Sequence, residues 1–157
     1  KENFSTPRQN ENQRQCMTAM LAHGVLPVVN ENDTVCVTEL MFTDNDELSG
    51  LIARLMQCQA LVILSNIDGI YNGHPLDAAS QVIREVPFGT DLTSYICTEK
   101  SHAGRGGMQS KYTTAQDVAS AGIHVYIENR KRENVLNDVL FSPHSVPFTH
   151  FLPYEHE

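Results

Sequence analysis

Apolar positions along this chain recur in two periods. Cys16, Met17, Met20 and Leu21 are spaced as one face of a helix, and Thr6-Pro-Arg-Gln9 supplies its start. Thr6 serves as the cap, Pro7 suits the first helical position and Gln9 completes a capping box. Gly24 is the expected stop. Residues 25–29 are uninterruptedly apolar and predict a strand buried on both faces. Leu48, Leu51, Ile52, Leu55 and Met56 then mark one face of a helix over 46–58, whose acidic opening complements the positive end of a helix dipole. Ala60-Leu-Val-Ile-Leu-Ser65 reads as a second buried strand, followed by a turn at Asp68-Gly69 and a loop over 74–80. A strand over 82–86, a short helix over 90–97 and a helix over 108–121 ended by Gly122 come next. A strand over 124–128, a short helix over 134–141 and a strand over 147–152 complete the pattern. The order α-β-α-β-β-α-α-β-α-β predicts a single α/β domain with a largely parallel central sheet.

Composition narrows the function classes. With 157 residues, 41% apolar and 19% charged, the chain can bury a real core and is not of disordered type. A net charge of −8 disfavours nucleic acid as a partner. It also means that an anionic ligand needs local help from Lys, Arg or backbone N–H groups. No apolar run is long enough to cross a bilayer, and the first residues lack the apolar core of a secretory signal. Cys16, Cys36, Cys58 and Cys97 show no paired spacing and read as reduced thiols of a cytoplasmic protein. The seven histidines are scattered, so no metal ligand set is expected from them.

Three segments carry candidate chemistry. The first holds two polar clusters, Asn30-Glu-Asn-Asp33 and Asp44-Asn45-Asp46, one after a strand and one opening a helix. Strand ends and helix starts converge on ligands in open α/β sheets. Taken alone, Asp44–Asp46 is what a helix cap needs. Taken with the first cluster, the amides and carboxylates exceed what one cap and one turn require, and they point to a small polar ligand. The second segment is Gly104-Arg-Gly-Gly-Met-Gln-Ser-Lys111. Gly106 and Gly107 allow close backbone approach to an anion, the following helix aims free N–H groups at it, and Lys111 adds a point charge. The spacing is not that of a Walker loop, and on spacing alone a flexible loop with a surface lysine fits as well. The third segment is Ser65-Asn66-Ile-Asp68-Gly69, at the carboxyl end of a buried strand where a nucleotide could dock or the chain could simply turn. His102 and Arg105 flank the glycine loop. No nucleophile–base pair is evident, and phosphoryl transfer needs none, because positioning and charge stabilisation do most of that work.

At these residues the chain resembles the amino acid kinase family, and within it the members that phosphorylate the γ-carboxylate of L-glutamate. Val28-Val-Asn-Glu-Asn-Asp-Thr-Val35 is similar to their INENDTV segment and Phe42-Thr-Asp-Asn-Asp-Glu-Leu-Ser49 to FGDNDQLS. Residues 61–71 resemble LLLLTDIDGLY, residues 104–111 GTGGMATK, and residues 148–153 the closing GTLFLP. The resemblance spans nearly the whole chain. It implies a three-layer α/β/α sandwich with a mainly parallel sheet, and transfer of a phosphoryl group from ATP with Mg²⁺ to give L-glutamyl 5-phosphate. That is the first step of proline biosynthesis, commonly inhibited by proline, in homodimers or homotetramers. Carried over by position, Asn30, Asp33 and Asn45 would bind glutamate, and Asp46 would organise the site. Ser65 and Asn66 would lie at the nucleotide. Arg105, Gly106, Gly107, Met108, Gln109, Ser110 and Lys111 would wrap the ATP phosphates, with Lys111 neutralising the transferring group.

The chain departs from the family in four respects. Ser65-Asn66 stands where a Thr-Asp is usual, and Arg105 where a threonine is usual. The strand and loop that open the family's domain, with a phosphate-binding lysine, have no counterpart here, and neither does the appended PUA domain. The 157 residues are therefore expected to be a partial kinase domain, carrying the substrate loops and the nucleotide-binding half and lacking full activity alone. Two rivals remain: a kinase of another carboxylate or nucleotide in the same superfamily, and a non-catalytic glutamate or proline sensor on the same fold.

Overall fold

The computed structural model describes residues 6–30, 45–96, 107–142 and 146–155. Its elements are α1 (Pro7–Ala22), α2 (Asn45–Leu55), β1 (Ala60–Ser65), β2 (Glu85–Val86), α3 (Thr93–Ile96), α4 (Met108–Ser120), β3 (His124–Asn129), α5 (Val135–Phe141) and β4 (Thr149–Phe151). The four strands form one sheet in the order β1-β3-β4-β2. β1 pairs in parallel with β3, Ala60 opposite His124 through Ser65 opposite Asn129, and β2 pairs in parallel with β4. β3 and β4 run antiparallel. The sheet is thus mixed and mostly parallel, and the expected α/β class is observed.

Side-chain alternation sorts the strands onto two faces. Ile63, Val125 and Ile127 point into the main core with Ala115, Val118 and Ala119 of α4 and Ala53 of α2. Val62 and Tyr126 point the other way, against Val139 of α5 and against Val146 and Phe148. Helices therefore lie on both faces of the sheet, as the three-layer expectation requires.

α1 begins as its sequence predicts: the Thr6 hydroxyl accepts from the Gln9 N–H at 3.2 Å. The Gln9 side chain also turns back to the cap, its Oε1 accepting from Thr6 Oγ1 at 2.8 Å. Of the expected apolar stripe only Met17 is buried, while Leu21 is 51% exposed and Cys16 lies at the surface.

The strand expected over 25–29 is not formed. Val28 is 92% exposed and Leu26 79%. A strand exists through its neighbour's hydrogen bonds, and among the described residues none pairs with this one. The strand expected over 82–86 shrinks to Glu85–Val86, with Val82 in a lone antiparallel bridge to Tyr71. The helix expected over 90–97 is a single turn, Thr93–Ile96. Those expected over 46–58 and 134–141 are shortened to α2 and α5.

α2 and α4 lie side by side with their N-termini at the same end. Three steps of matching residues establish this. Asp46 bonds Lys111, Gly50 abuts Thr114, and Arg54 Nη1 pairs with Asp117 at 3.0 Å. Gly50 makes the approach possible: a Cβ there would stand 2.8 Å from Thr114 Cγ2 and 3.1 Å from Val118 Cγ2. Gly50→Ala is therefore expected to destabilise the protein by about 1–2 kcal/mol in thermal or urea unfolding, despite a helix-propensity gain of about 1 kcal/mol. Adding Thr114→Ser, which removes the nearer methyl group, should recover most of the loss. An unchanged or raised stability in Gly50→Ala alone would show that the helices are not this close.

Candidate active site

Short connections determine where the helix ends fall. Only residues 56–59 separate α2 from β1, and only 121–123 separate α4 from β3. Each helix must therefore run back along its strand, placing its N-terminus at the strand's carboxyl end. The lengths agree: a 13-residue helix and a six-residue strand each span about 20 Å. The N-termini of α2 and α4 and the carboxyl ends of the parallel pair β1 and β3 thus share one edge of the sheet, where open α/β folds bind ligands.

At that edge Lys111 Nζ donates to Asp46 Oδ2 at 2.6 Å, and the two side chains are only 15% and 16% exposed. The Asp46 carbonyl accepts from Ser49 Oγ at 2.6 Å, which closes the first turn of α2. Next to Asp46, Asn45 Nδ2 donates to Asn30 Oδ1 at 2.9 Å, so the residues flanking the segment 31–44 are drawn together. α4 starts at Gly107, which has extended backbone angles and no side-chain cap, and among the described residues nothing stands within 4 Å of where its Cβ would be. The Gly107 carbonyl accepts from the N–H groups of Ser110 and Lys111. The first N–H groups of a helix have no partner within it, so an uncapped N-terminus with no acidic residue in its first turn presents donors and positive potential to an anion. Met108, Gln109 and Ser110 form that first turn.

Ser65 is buried at the end of β1, its carbonyl accepting from the Arg130 N–H at 2.9 Å, while Asn66 is exposed beyond it. Of the expected site residues, Asn30, Asn45, Asp46, Ser65, Asn66 and Gly107 through Lys111 thus fall on this edge. Asp33, Arg105 and Gly106 lie outside the described residues, as do Cys36, Cys97 and His102.

Two groups at the same edge were not signalled by spacing. Asp68 accepts from Asn129 Nδ2 (2.9 Å) and from Arg132 Nε (3.0 Å) and Nη2 (2.9 Å), with Tyr71 Oη at 3.4 Å. Burial pushes its carboxyl group up, but these donors and the Arg132 charge outweigh burial and hold it below the usual carboxylate range. Burial also raises the Tyr71 phenol, helped by the Asp68 charge. Glu128, one residue before Asn129, is fully buried, and among the described residues neither carboxylate oxygen has a hydrogen-bond partner. Burial raises its pKa from 4.5 to about 7; Arg132 and Arg84 pull it down while Asp138 and Asp68 push it up. A Glu in an apolar strand and an Asp before Gly are visible in the sequence. Their partners, some sixty residues away or absent, are not.

The scattered histidines also hid a pairing. His124 Nδ1 lies 2.9 Å from His150 Nε2 across β3 and β4, and Tyr126 stacks on His150 at 4.3 Å. Among the described residues no third His, Cys, Asp or Glu joins them in a group that could hold a metal ion. No described helix is long and apolar enough to cross a membrane.

An α/β sandwich with two helix N-termini and a part-buried Lys–Asp pair at the carboxyl edge of its sheet offers positive potential to an anion there. The chain belongs to the amino acid kinase family, whose model matches residues 1–129. It is 61% identical over 153 residues to a glutamate 5-kinase of Bacteroides thetaiotaomicron, covering 98% of this chain and 42% of that protein. It is 45% identical over 129 residues to a glutamate 5-kinase of Chlorobaculum tepidum, covering 82% of this chain and 35% of the relative. The chain thus spans about two-fifths of the length of the curated relatives it matches. The fold is shared with a crystal structure of an isopentenyl phosphate kinase substrate complex (TM-score 0.64, 16% identity, 87% of this chain and 52% of that one). It is also shared with carbamate kinase from Giardia lamblia bound to AMP-PNP (TM-score 0.59, 14% identity, 90% and 50%).

Proposed function

We propose that this chain is part of a glutamate 5-kinase, which transfers the γ-phosphoryl group of ATP to the γ-carboxylate of L-glutamate. The observation that carries this reading is the Asp46–Lys111 pair at the joined N-termini of α2 and α4, in a chain 61% identical to a glutamate 5-kinase. A γ-carboxylate oxygen attacks the γ-phosphorus, and the bond from phosphorus to the bridging oxygen breaks. ADP leaves with the electron pair. The nucleophile is already ionised at neutral pH, so no general base is needed.

The work left to the protein is positioning and charge neutralisation. Lys111, pinned by Asp46, sits where it can meet negative charge on the transferring group, and the α4 N-terminus receives phosphate oxygens. Asn30 and Asn45, with Asp33 from the adjoining segment, read the amino acid. Ser65 and Asn66 border the nucleotide. Arg105 and Gly106 extend the phosphate cradle. Mg²⁺ would arrive with the nucleotide and neutralise its β- and γ-oxygens, as is usual for a cation bound mainly by phosphate and water. The product is an acyl phosphate that feeds proline biosynthesis, and proline inhibition, a cytoplasmic location and a homodimeric or homotetrameric state go with this reading.

The test is made on the protein at the full length of its relatives. With MgATP, L-glutamate and hydroxylamine, glutamyl hydroxamate is expected with glutamate and not with aspartate or N-acetylglutamate. Product from another carboxylate alone would refute the glutamate assignment. Glutamate binding without product would turn the reading to a sensor. In the same assay Asn45→Ala is expected to raise the KM for glutamate about tenfold or more and leave that for ATP nearly unchanged. Unchanged glutamate dependence would remove Asn45 from the substrate site.

A further inference from the structure

We propose that Asp68 and Arg132 form a latch that positions the nucleotide-bordering segment 65–68. The proposal rests on the reading of this edge as a nucleotide site.

Asp68 follows β1 and Arg132 follows β3, so their two-pronged pair ties together the segments leaving the two central parallel strands. Asn129 is the hub. Its Nδ2 donates to Asp68, its Oδ1 accepts from the Lys131 N–H at 3.0 Å, and its carbonyl accepts from the Arg132 N–H at 3.1 Å. The turn that aims Arg132 is therefore built by the residue that also binds Asp68. The other side of the segment is anchored as well: the Ile70 N–H donates to Thr149 Oγ1 at 2.8 Å. Gly69 makes that anchor possible, because it has a φ of +149° and a Cβ there would stand 2.4 Å from the same oxygen. The near end is held in β1, where the Ser65 carbonyl accepts from the Arg130 N–H at 2.9 Å, so with Asp68 and Ile70 fixed at the far end the backbone after Ser65 has little freedom and Ser65 and Asn66 are presented in one conformation.

A planar guanidinium gripping a carboxylate at two points sets orientation as well as distance, which a lysine cannot reproduce. The buried, unpaired carboxyl group of Glu128 close by does not compete for Arg132 while it keeps its proton.

The test uses the full-length protein. Arg132→Ala and Asp68→Asn are each expected to weaken binding of a fluorescent ATP analogue, and to raise the KM for ATP, about tenfold. The KM for glutamate and kcat should stay within about twofold. Arg132→Lys should fall between wild type and Arg132→Ala. The double variant should be no worse than either single one, because both remove the same contact. A merely structural pair would lower the melting temperature and leave the ATP KM in place, and that result in folded Arg132→Ala would overturn the latch. So would an equal rise in both KM values. If Arg132→Ala does not fold, an unchanged ATP affinity in Arg132→Lys and Asp68→Asn would do the same. Absence of glutamyl hydroxamate from wild type that still binds the analogue would sink the glutamate reading and leave the affinity series to decide the latch. Failure of wild type to bind nucleotide would overturn both.

Discussion

Lys111→Ala is expected to lower kcat by about a hundredfold to a thousandfold, the usual cost of removing one preorganised group facing charge that develops in a transition state. The KM for ATP should change far less, because the positive end of the α4 dipole remains to hold the phosphates. The geometry explains the size of the effect. The Nζ lies 2.6 Å from Asp46 Oδ2 with both side chains largely out of water, so the cation is aimed before substrate arrives and little is lost in reorienting it. Asp46→Asn should also lower kcat, by leaving the lysine charged but unpinned. Lys111→Arg should not restore activity, since a planar fork does not replace a compact ammonium in a space this closed. Single-turnover and steady-state rates of the full-length protein measure this directly. Activity within about threefold of wild type in Lys111→Ala would place the transferring phosphoryl group elsewhere.

The second large effect concerns stability. Glu128 ionises near 4.5 in the unfolded chain and near 7 in the folded one. Between those values the unfolded chain gives up its proton first, so stability falls as pH rises from about 4.5 to about 7 and is flat beyond. At about 1.36 kcal/mol per pH unit, the loss amounts to about 3 kcal/mol, a large share of the 5–15 kcal/mol of a typical domain. Glu128→Gln keeps the shape and cannot ionise. Its stability relative to wild type should therefore improve by about 3 kcal/mol between pH 4.5 and pH 8 in urea unfolding. Because the neutral carboxyl and the amide are both unpaired in that pocket, the two proteins should be close at the acid end. A constant difference across the range would show that Glu128 is ionised in the fold or reached by water.

Much of the architecture could be read from local pattern. α1, α2, α4, β1 and β3 were each expected within a few residues, because caps, glycine stops and periodicity are properties of neighbouring side chains. The failures share a cause. Residues 25–29 have the composition of a buried strand, but a strand needs a partner that composition cannot name, and the described structure leaves Val28 almost wholly exposed. The antiparallel crossing of β3 and β4 was equally hidden, since alternating elements do not state the direction of the last strand.

The sequence by itself determined the family of the chain, the α/β class, and the residue types of the site: amides and acids at a helix start, glycines and a lysine at another. These are local choices, and one-dimensional order preserves them. Only the tertiary structure decided which of them meet. Asp46 and Lys111 are 65 residues apart and pair because Gly50 lets α2 and α4 touch. Asp68 and Arg132 pair because β1 and β3 lie side by side in register. Glu128, ordinary in the sequence, becomes a buried and unpaired acid because α5 covers that face of the sheet. Contact between distant residues depends on packing distance, and charge depends on water removed by packing. Neither quantity exists until the chain has folded.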